Sequence, residues 1–385
     1  MMSATVYFID FRGNSRENFL DKLERLLETA GLSQIIDARE LVAVKLHFGE
    51  RGNTAFIRPI FIRKIVQCVK QAQGVPFLTD TNTLYAGSRS DAPHHLRTAI
   101  ENGFAYSVVD QTPVIIADGL RGRSETALEI GRKHFQTAYI ANEIVQADVL
   151  VSVAHFKGHE LAGFGGTLKN LAMGCASRKG KLAQHSTVSP KVKRKKCIAC
   201  GHCIARCPVG AITLVDGKAK IDNAVCIGCG ECIQLCPCQA IAIRWNQSIP
   251  VFLEGMAEYS LAVLQNKRQK SLFINFISDV SPACDCHGYN DAAIVGNIGV
   301  LASTDPVAID QAAVDLVNQA PPLPGTALDA GNVVAEDKFR TLYPEVDGSI
   351  QLAYAEELGL GTRDYQLKTL ESLTWEAYRA AKRQA

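Results

Sequence analysis

Apolar positions alternate along the chain between two rhythms. Residues 5–10, 41–48, 75–79, 114–117 and 148–154 are short apolar runs of strand length, the last rich in Val. Between them the spacing is helical. Residues 17–30 place Phe19, Leu20, Leu23, Leu26 and Leu27 on one face and stop at Gly31; residues 60–73 start after Arg58-Pro59 and close at Gly74; residues 91–102 follow the same period. Such alternation predicts an α/β fold, a mostly parallel sheet with flanking helices.

The pattern breaks at Pro190. Cys, Gly and Pro then dominate as far as Trp245, after which helix and strand spacing returns. Residues 254–264 and 306–317 read as helices and 272–278 as a strand. Ser303, Thr304 and Asp305 are candidate N-caps, with Pro306 in the first helical position. Residues 320–343 are expected to be mostly loop and 371–382 a last helix. One α/β domain over residues 1–190 and 246–385 is therefore expected, interrupted by a small module over residues 191–245.

Composition narrows the function. Of 385 residues 47% are apolar, enough for a large core and against global disorder. A net charge of +2 gives no one-signed field to attract nucleic acid or a membrane. The basic run Lys191 to Lys196 reads as a solvated linker. The first residues lack the charged and apolar regions of a leader, and no apolar run approaches about 18 residues, so a soluble cytoplasmic chain is expected. In that setting thirteen cysteines read as metal ligands and thiols, not as disulfides.

Eight of them form two identical runs. Cys197, Cys200, Cys203 and Cys207-Pro208 follow C-x2-C-x2-C-x3-C-P, and Cys226, Cys229, Cys232 and Cys236-Pro237 repeat it. Three cysteines two residues apart can wrap one cluster in a tight loop, where Gly201, Gly228 and Gly230 let backbone N–H groups approach sulfur. A zinc site would need only four ligands, commonly two C-x2-C pairs. The segment resembles bacterial two-cluster ferredoxins, with every motif position filled. That resemblance implies two 4Fe-4S clusters and a crossed pairing: Cys197, Cys200 and Cys203 with Cys236, and Cys226, Cys229 and Cys232 with Cys207. Cys238 reads as an ordinary small side chain, and Cys68 as core.

Ligands of parallel sheets bind at the carboxyl ends of strands. Here those ends carry Lys45, His47 and Glu50, then Asp80 and Asn82, then His155, Lys157 and His159, and later Cys284-Asp285-Cys286-His287. Taken singly each reads as a cap or surface group; converging on one rim, they suit an anionic ligand or a metal. Between His159 and Asn170 the glycines Gly163, Gly165 and Gly166 are expected to offer N–H groups as an anion nest beside Lys169. A glycine turn needed only for close packing is the plain alternative. The segment is neither a P-loop nor a dinucleotide fingerprint, since Gly-Lys-Ser/Thr is missing and Leu168 occupies the third glycine position.

Residues 153–180, the ferredoxin-like insert, Cys284-Asp285-Cys286 and Asp305-Pro-Val-Ala-Ile-Asp310 together resemble the domain of unknown function 362 family, whose members with this insert are called iron–sulfur center proteins. More distantly, His159-x3-Gly163-x5-Lys169 followed by His185 is similar to the nickel-pincer lactate racemases. In that family a histidine before a Gly-rich loop is acid/base, the loop lysine carries a pyridinium-derived nickel cofactor and a later histidine ligates nickel. The resemblance implies those roles for His159, Lys169 and His185, a contact role for Arg58 and a second catalytic histidine at His47. Gly165 stands where that family has serine, and racemases have no ferredoxin module, so fold and site location carry over more directly than cofactor. A third metal, nickel or another, is a further expectation near His159, His185, Cys284 and Cys286.

Three functions follow. The first is an oxidoreductase relaying electrons from a partner (ferredoxin, flavodoxin or reductase) through the clusters to a small anionic ligand on the rim. The second is a plain electron carrier. The third is a non-redox isomerase or metallocofactor-assembly protein.

Overall fold

Period-two alternation puts apolar side chains on both faces of each central strand, so the sheet must be covered twice. In the strand Ser271–Ile277, Leu272, Ile274 and Phe276 enter one core and Phe273 and Ile277 the other. The computed structural model describes residues 3–186, 190–243, 248–267, 269–329 and 336–373. Its main sheet has eight strands: β1 (Ala4–Asp10), β2 (Leu41–Lys45), β3 (Val75–Asp80), β4 (Val114–Ile116), β5 (Val149–His155), β6 (Ser271–Ile277), β7 (Gly299–Ser303) and β8 (Tyr365–Thr369), in the order β8-β1-β7-β6-β5-β2-β3-β4.

All neighbours are parallel except at β7, which runs antiparallel to both β1 and β6. The connection explains the exception. Parallel neighbours need a crossover, usually helical, whereas residues 278–298 hold only turns and an isolated bridge and return the chain beside β6. The helices Phe19–Thr29, Pro59–Gln71 and Ala92–Glu101 cover one face. The other face is covered by Thr167–Cys175, Ile249–Leu264, Pro306–Gln319 and Ser349–Glu357. The mostly parallel α/β fold read from the sequence is thus the observed one.

Strands on both sides of the Cys-rich segment join this one sheet. The segment itself enters and leaves side by side, because Lys191–Val192 pairs with Ile241–Ala242. It has a hairpin, Ile212–Val215 with Lys218–Ile221, two short helices, His202–Ala205 and Glu231–Leu235, and a small core of its own that also takes in Leu84 and Leu182.

Some expectations need correction. Strand β2 ends at Lys45, not residue 48, because the backbone turns at Gly49, whose N–H donates to His47 Nδ1 at 3.0 Å. Within 320–343 the chain makes a helix at Lys338–Leu342, capped by Asp337. Residues 371–373 are irregular, and the rest of the helix expected over 371–382 lies outside the described residues. Strands β7 and β8 and the helix Ser349–Glu357 were not foreseen. Among the described residues no helix is long and apolar enough to cross a membrane.

Candidate functional site

The carboxyl ends of β2, β3, β5 and β6, with the loops leaving them, enclose a cavity of about 370 Å³. Strand β2 delivers Lys45 and, two residues on, His47; β3 delivers Asp80 and then Thr81; β5 delivers His155 and the hairpin Lys157–His159 with Gly163–Gly165. The helix Thr167–Cys175 turns Lys169, Asn170 and Met173 inward, while Leu168, Leu171, Ala172 and Cys175 face the core. Spacings of three and four put each set on one helical face. By the same spacing the helix Arg178–His185 presents Lys181 and His185. The loop after β6 adds Cys284, Cys286 and His287.

Charge in this cavity is dense and mostly paired. Lys45 Nζ lies 3.0 Å from Asp80 Oδ1 and donates to Asn170 Oδ1 at 2.9 Å. Arg89 bridges Asp80 and Glu50, each at 3.2 Å, and donates to Tyr85 Oη at 2.8 Å. Burial alone would raise the carboxyl of Asp80, but Lys45 first, then His95, holds it well below the usual range. Asp285 accepts at 2.9 Å from His155 Nδ1 and lies 3.3 Å from Lys157 Nζ; these two groups outweigh burial and depress its carboxyl. His47 is pushed well down by burial and then by Arg89, and His185 is pushed down to about 3 by burial and then by His159 and Lys169. Both are neutral imidazoles at pH 7, able to donate and accept hydrogen bonds.

Lys169 and Lys181 differ from the other cations: neither has a carboxylate within ion-pair distance among the described residues. Burial lowers the Lys181 ammonium to about 8, against the pull of Asp118 and Asp80, and its Nζ donates to Thr81 Oγ1 and to Ala176 O. Asp118 behind it is raised to about 6 by burial. Lys169 Nζ instead lies 3.5 Å from Cys284 Sγ. Burial would lower Lys169, but the neighbouring Cys284 and Cys286 raise it.

His159, Lys169, His185, His47, Lys45, Asp80, Gly166, Cys284 and Cys286 all line this one cavity. Six expected residues do not line it; two of them, Glu50 and Asp285, are ion-paired with Arg89 and with Lys157. Arg58 is exposed at the start of the helix Pro59–Gln71. Asn82 is buried as a tie: its amide donates to Asp118 Oδ1 at 2.8 Å and to Gly119 O at 2.7 Å. Gly163 packs against Gly348, and Gly165 backs onto the Lys169 stem.

The anion nest is also corrected. The N–H groups of Thr167 and Leu168 already donate to the buried carboxylate of Asp310, at 2.7 and 2.8 Å. The glycines serve close packing: a Cβ on Gly158 would overlap Pro282 O, and one on Gly166 would overlap the Asp310 carboxylate. Positive charge at the site therefore comes from side chains. Nor do three His, Cys, Asp or Glu side chains group to hold a single metal ion among the described residues. In the corner where a third metal was expected, the Lys169 ammonium stands beside Cys284.

Sequence reading missed Lys181, Arg89 and the wall Thr83–Leu84–Tyr85. Lys181 carried a signal, standing four residues before His185 on one helix. The wall carried none, because only its contacts across the fold give it a role.

In the Cys-rich module the eight motif cysteines separate into two groups around two small voids. One void is lined by Cys197, Cys200, Cys203 and Cys236, with Cys238 beside them; the other by Cys226, Cys229, Cys232 and Cys207. This is the crossed arrangement of three local ligands and one from the other run. Backbone N–H groups already point at sulfur: Ala240 to Cys236 at 3.1 Å, Ala211 to Cys207 at 3.2 Å and Ala219 to Cys197 at 3.4 Å. Four thiols about a void, with N–H donors to stabilise thiolates, fit a cluster of several irons. The second group faces the α/β body, since a Cβ on Gly230 would touch Leu84 and Arg178, and one on Gly228 would touch Leu182. The first faces outward, with Cys200 and Ile198 exposed.

Among solved structures, the chain is similar to the lactate racemase apoprotein from Thermoanaerobacterium thermosaccharolyticum, at 15% identity and a TM-score of 0.35, over 72% of this chain and 51% of that one. It is also similar to a structural-genomics protein from Thermotoga maritima, at 8% identity and a TM-score of 0.36, over 68% of this chain and 50% of that one. The chain thus spans about half the length of either. No curated protein matches it. A family model matches residues 42–315, from β2 through the Cys-rich module to the helix Pro306–Gln319, and so takes in every residue lining the cavity. The chain belongs to that family, described as a domain of unknown function (DUF362).

Proposed function

We propose that this protein is an iron–sulfur oxidoreductase that passes electrons between an electron-transfer protein and a small anionic ligand held in the cavity, by way of two 4Fe-4S clusters in the Cys-rich module. Bound there, the clusters would supply low-potential one-electron transfer. The observation that carries the reading is a shared wall. Thr83, Leu84 and Tyr85 line the cavity on one side. On the other, their three carbonyls accept from Gln234 Nε2 at 3.3, 2.9 and 2.6 Å, and Gln234 lies on the helix Glu231–Leu235 that also carries Cys232. Glu231 of that helix pairs with Arg123 of the α/β body. A module that only docked partners would have no need to abut the cavity.

The cavity supports an anionic ligand because Lys169 and Lys181 are its cations without carboxylate partners among the described residues. Leu84, Leu161 and Met173 line it too, which suits a ligand with an apolar part. His47 and His185 are held neutral there and can hydrogen-bond a ligand without adding charge.

The test is anaerobic. The purified chain should hold about eight irons and eight sulfides. After chemical reduction, its visible absorbance should change when small carboxylates or phosphates that bind the cavity are added. Full iron with no response to any ligand that binds would leave a plain electron carrier. Iron near four per chain would remove one cluster.

A further inference from the structure

Cys284 and Cys286 lie outside the cluster-binding set of the Cys-rich module. We propose that they form a redox-active dithiol in the cavity wall, closing to a disulfide when two electrons leave and reopening when two return. The electron source rests on the cluster reading above; the dithiol does not.

Geometry carries the inference. In Cys284-Asp285-Cys286 both thiols line the cavity while the side chain between them turns away, to His155 and Lys157. The segment is held from several elements. Gly158 N donates to Ser281 O at 2.9 Å, Tyr343 Oη to Pro282 O at 2.7 Å, Glu50 N to Asp285 O at 3.2 Å and Tyr85 Oη to Cys286 O at 3.0 Å. Both sulfurs therefore project into one cavity from a fixed backbone.

The surroundings distinguish the two sulfurs. Cys284 Sγ accepts from Cys286 N at 3.4 Å and from Lys169 Nζ at 3.5 Å. The Cys286 thiol beside it, then Lys169 and His159, hold the Cys284 thiol well below its usual range despite burial. Cys286 is pushed the other way, first by Cys284 and then by burial. One sulfur bears the charge and its neighbour the proton. The core thiols contrast with them: burial pushes Cys175 up to about 11 and Cys68 up to about 12, and neither lines the cavity. A lowered thiolate beside a second thiol is the arrangement that supports thiol–disulfide chemistry.

The step balances. The Cys284 thiolate and Cys286 thiol become one S–S bond, releasing one proton to cavity water and two electrons. The reverse takes up two electrons and one proton, the electrons arriving singly from an iron–sulfur reductant of two clusters. Closing a ring across a single intervening residue strains the bond, so it opens readily. The oxidant in the forward direction is a two-electron acceptor: a disulfide or the cavity ligand.

The experiment uses the full-length protein, anaerobic, equilibrated in a series of glutathione redox buffers. Samples are acid-quenched, denatured, alkylated with N-ethylmaleimide and digested for mass spectrometry. The peptide with Cys284 and Cys286 should pass from two alkyl groups to none along the series, while Cys68 and Cys175 stay alkylated throughout. In Cys286→Ser that transition should vanish, with Cys284 still taking one label. In native Lys169→Met, labelling of Cys284 near pH 7 should slow by about tenfold as thiolate is lost. Two alkyl groups at every buffer composition, or glutathione on Cys284 in place of the internal bond, would overturn the proposal. A disulfide that forms in the buffers but is not reopened by the protein's own reduced clusters would uphold the dithiol and overturn the relay.

Discussion

Replacing Gly166 by alanine tests how the cavity is held in shape. Gly166 precedes the helix that carries Lys169. A Cβ there would overlap Asp310 Oδ1 and lie 2.9 Å from both Asp310 Cγ and Phe156 Cδ2. Neither neighbour is free to give. The Asp310 carboxylate is held by the N–H groups of Thr167 and Leu168 and by Asn275 Nδ2, at 2.7, 2.8 and 2.7 Å. Phe156 is fully buried, with Phe164 and Phe339 against it at 5.4 and 5.8 Å. Overpacking of this kind costs about 1–3 kcal/mol. Displacing the carboxylate weakens hydrogen bonds to a charge, each worth about 1.5–3 kcal/mol. Gly166→Ala should therefore cost about 3–5 kcal/mol in total. Asp310→Ala should cost a similar amount by orphaning buried donors, yet it also clears the space that the new methyl needs. The double variant should then be more stable than the sum of the singles by about 2–3 kcal/mol. Urea denaturation of the four proteins, followed by far-ultraviolet circular dichroism, reads this directly if the slopes agree. A Gly166→Ala cost within about 0.5 kcal/mol, or strict additivity, would refute this account of the glycine.

Three further outcomes are expected. Lys181 is depressed from 10.5 to about 8, so its contribution to stability is present above about pH 10.5 and lost as pH falls through about 8. Relative to Lys181→Met, the unsubstituted protein should gain up to about 3 kcal/mol of stability between pH 7 and 10.5, and parallel pH profiles would sink the assignment. Gln234→Ala should cost about 1–2 kcal/mol and speed hydrogen exchange at residues 83–85 and 231–235; unchanged exchange there would mean the shared wall does not couple module and cavity. Replacing Cys207 and Cys236 together by serine should lower iron at both sets at once, because each void takes one ligand from the other run, and full retention of iron would contradict the crossed arrangement.

The sequence by itself determined the elements and the chemistry they carry. Apolar periods specify strands and amphipathic helices locally, which is why β1 through β6 and their helices were legible. The two C-x2-C-x2-C-x3-C-P runs marked eight cysteines as one candidate ligand set, since that spacing is a local geometric demand. The strand-end rule also gathered Lys45, His47, Asp80 and His159, because parallel strands bring their carboxyl ends together whatever their order, while Lys169 and His185 were added by the resemblance to the racemases.

Tertiary structure decided what each group faces. No spacing within residues 163–170 shows that Asp310, more than 140 positions away in sequence, would fill the N–H groups of Thr167 and Leu168 and leave the glycines a packing role. The antiparallel course of β7 depends on how residues 278–298 fold back. The spacing of Lys181 from His185 puts it on the same helical face, but only burial in the fold lowers its ammonium. That Lys169 stands beside Cys284 follows from no spacing in the sequence. Periodicity is a property of neighbours in sequence, whereas the partner of a buried charge is set by long-range packing, and that partner fixes its chemistry.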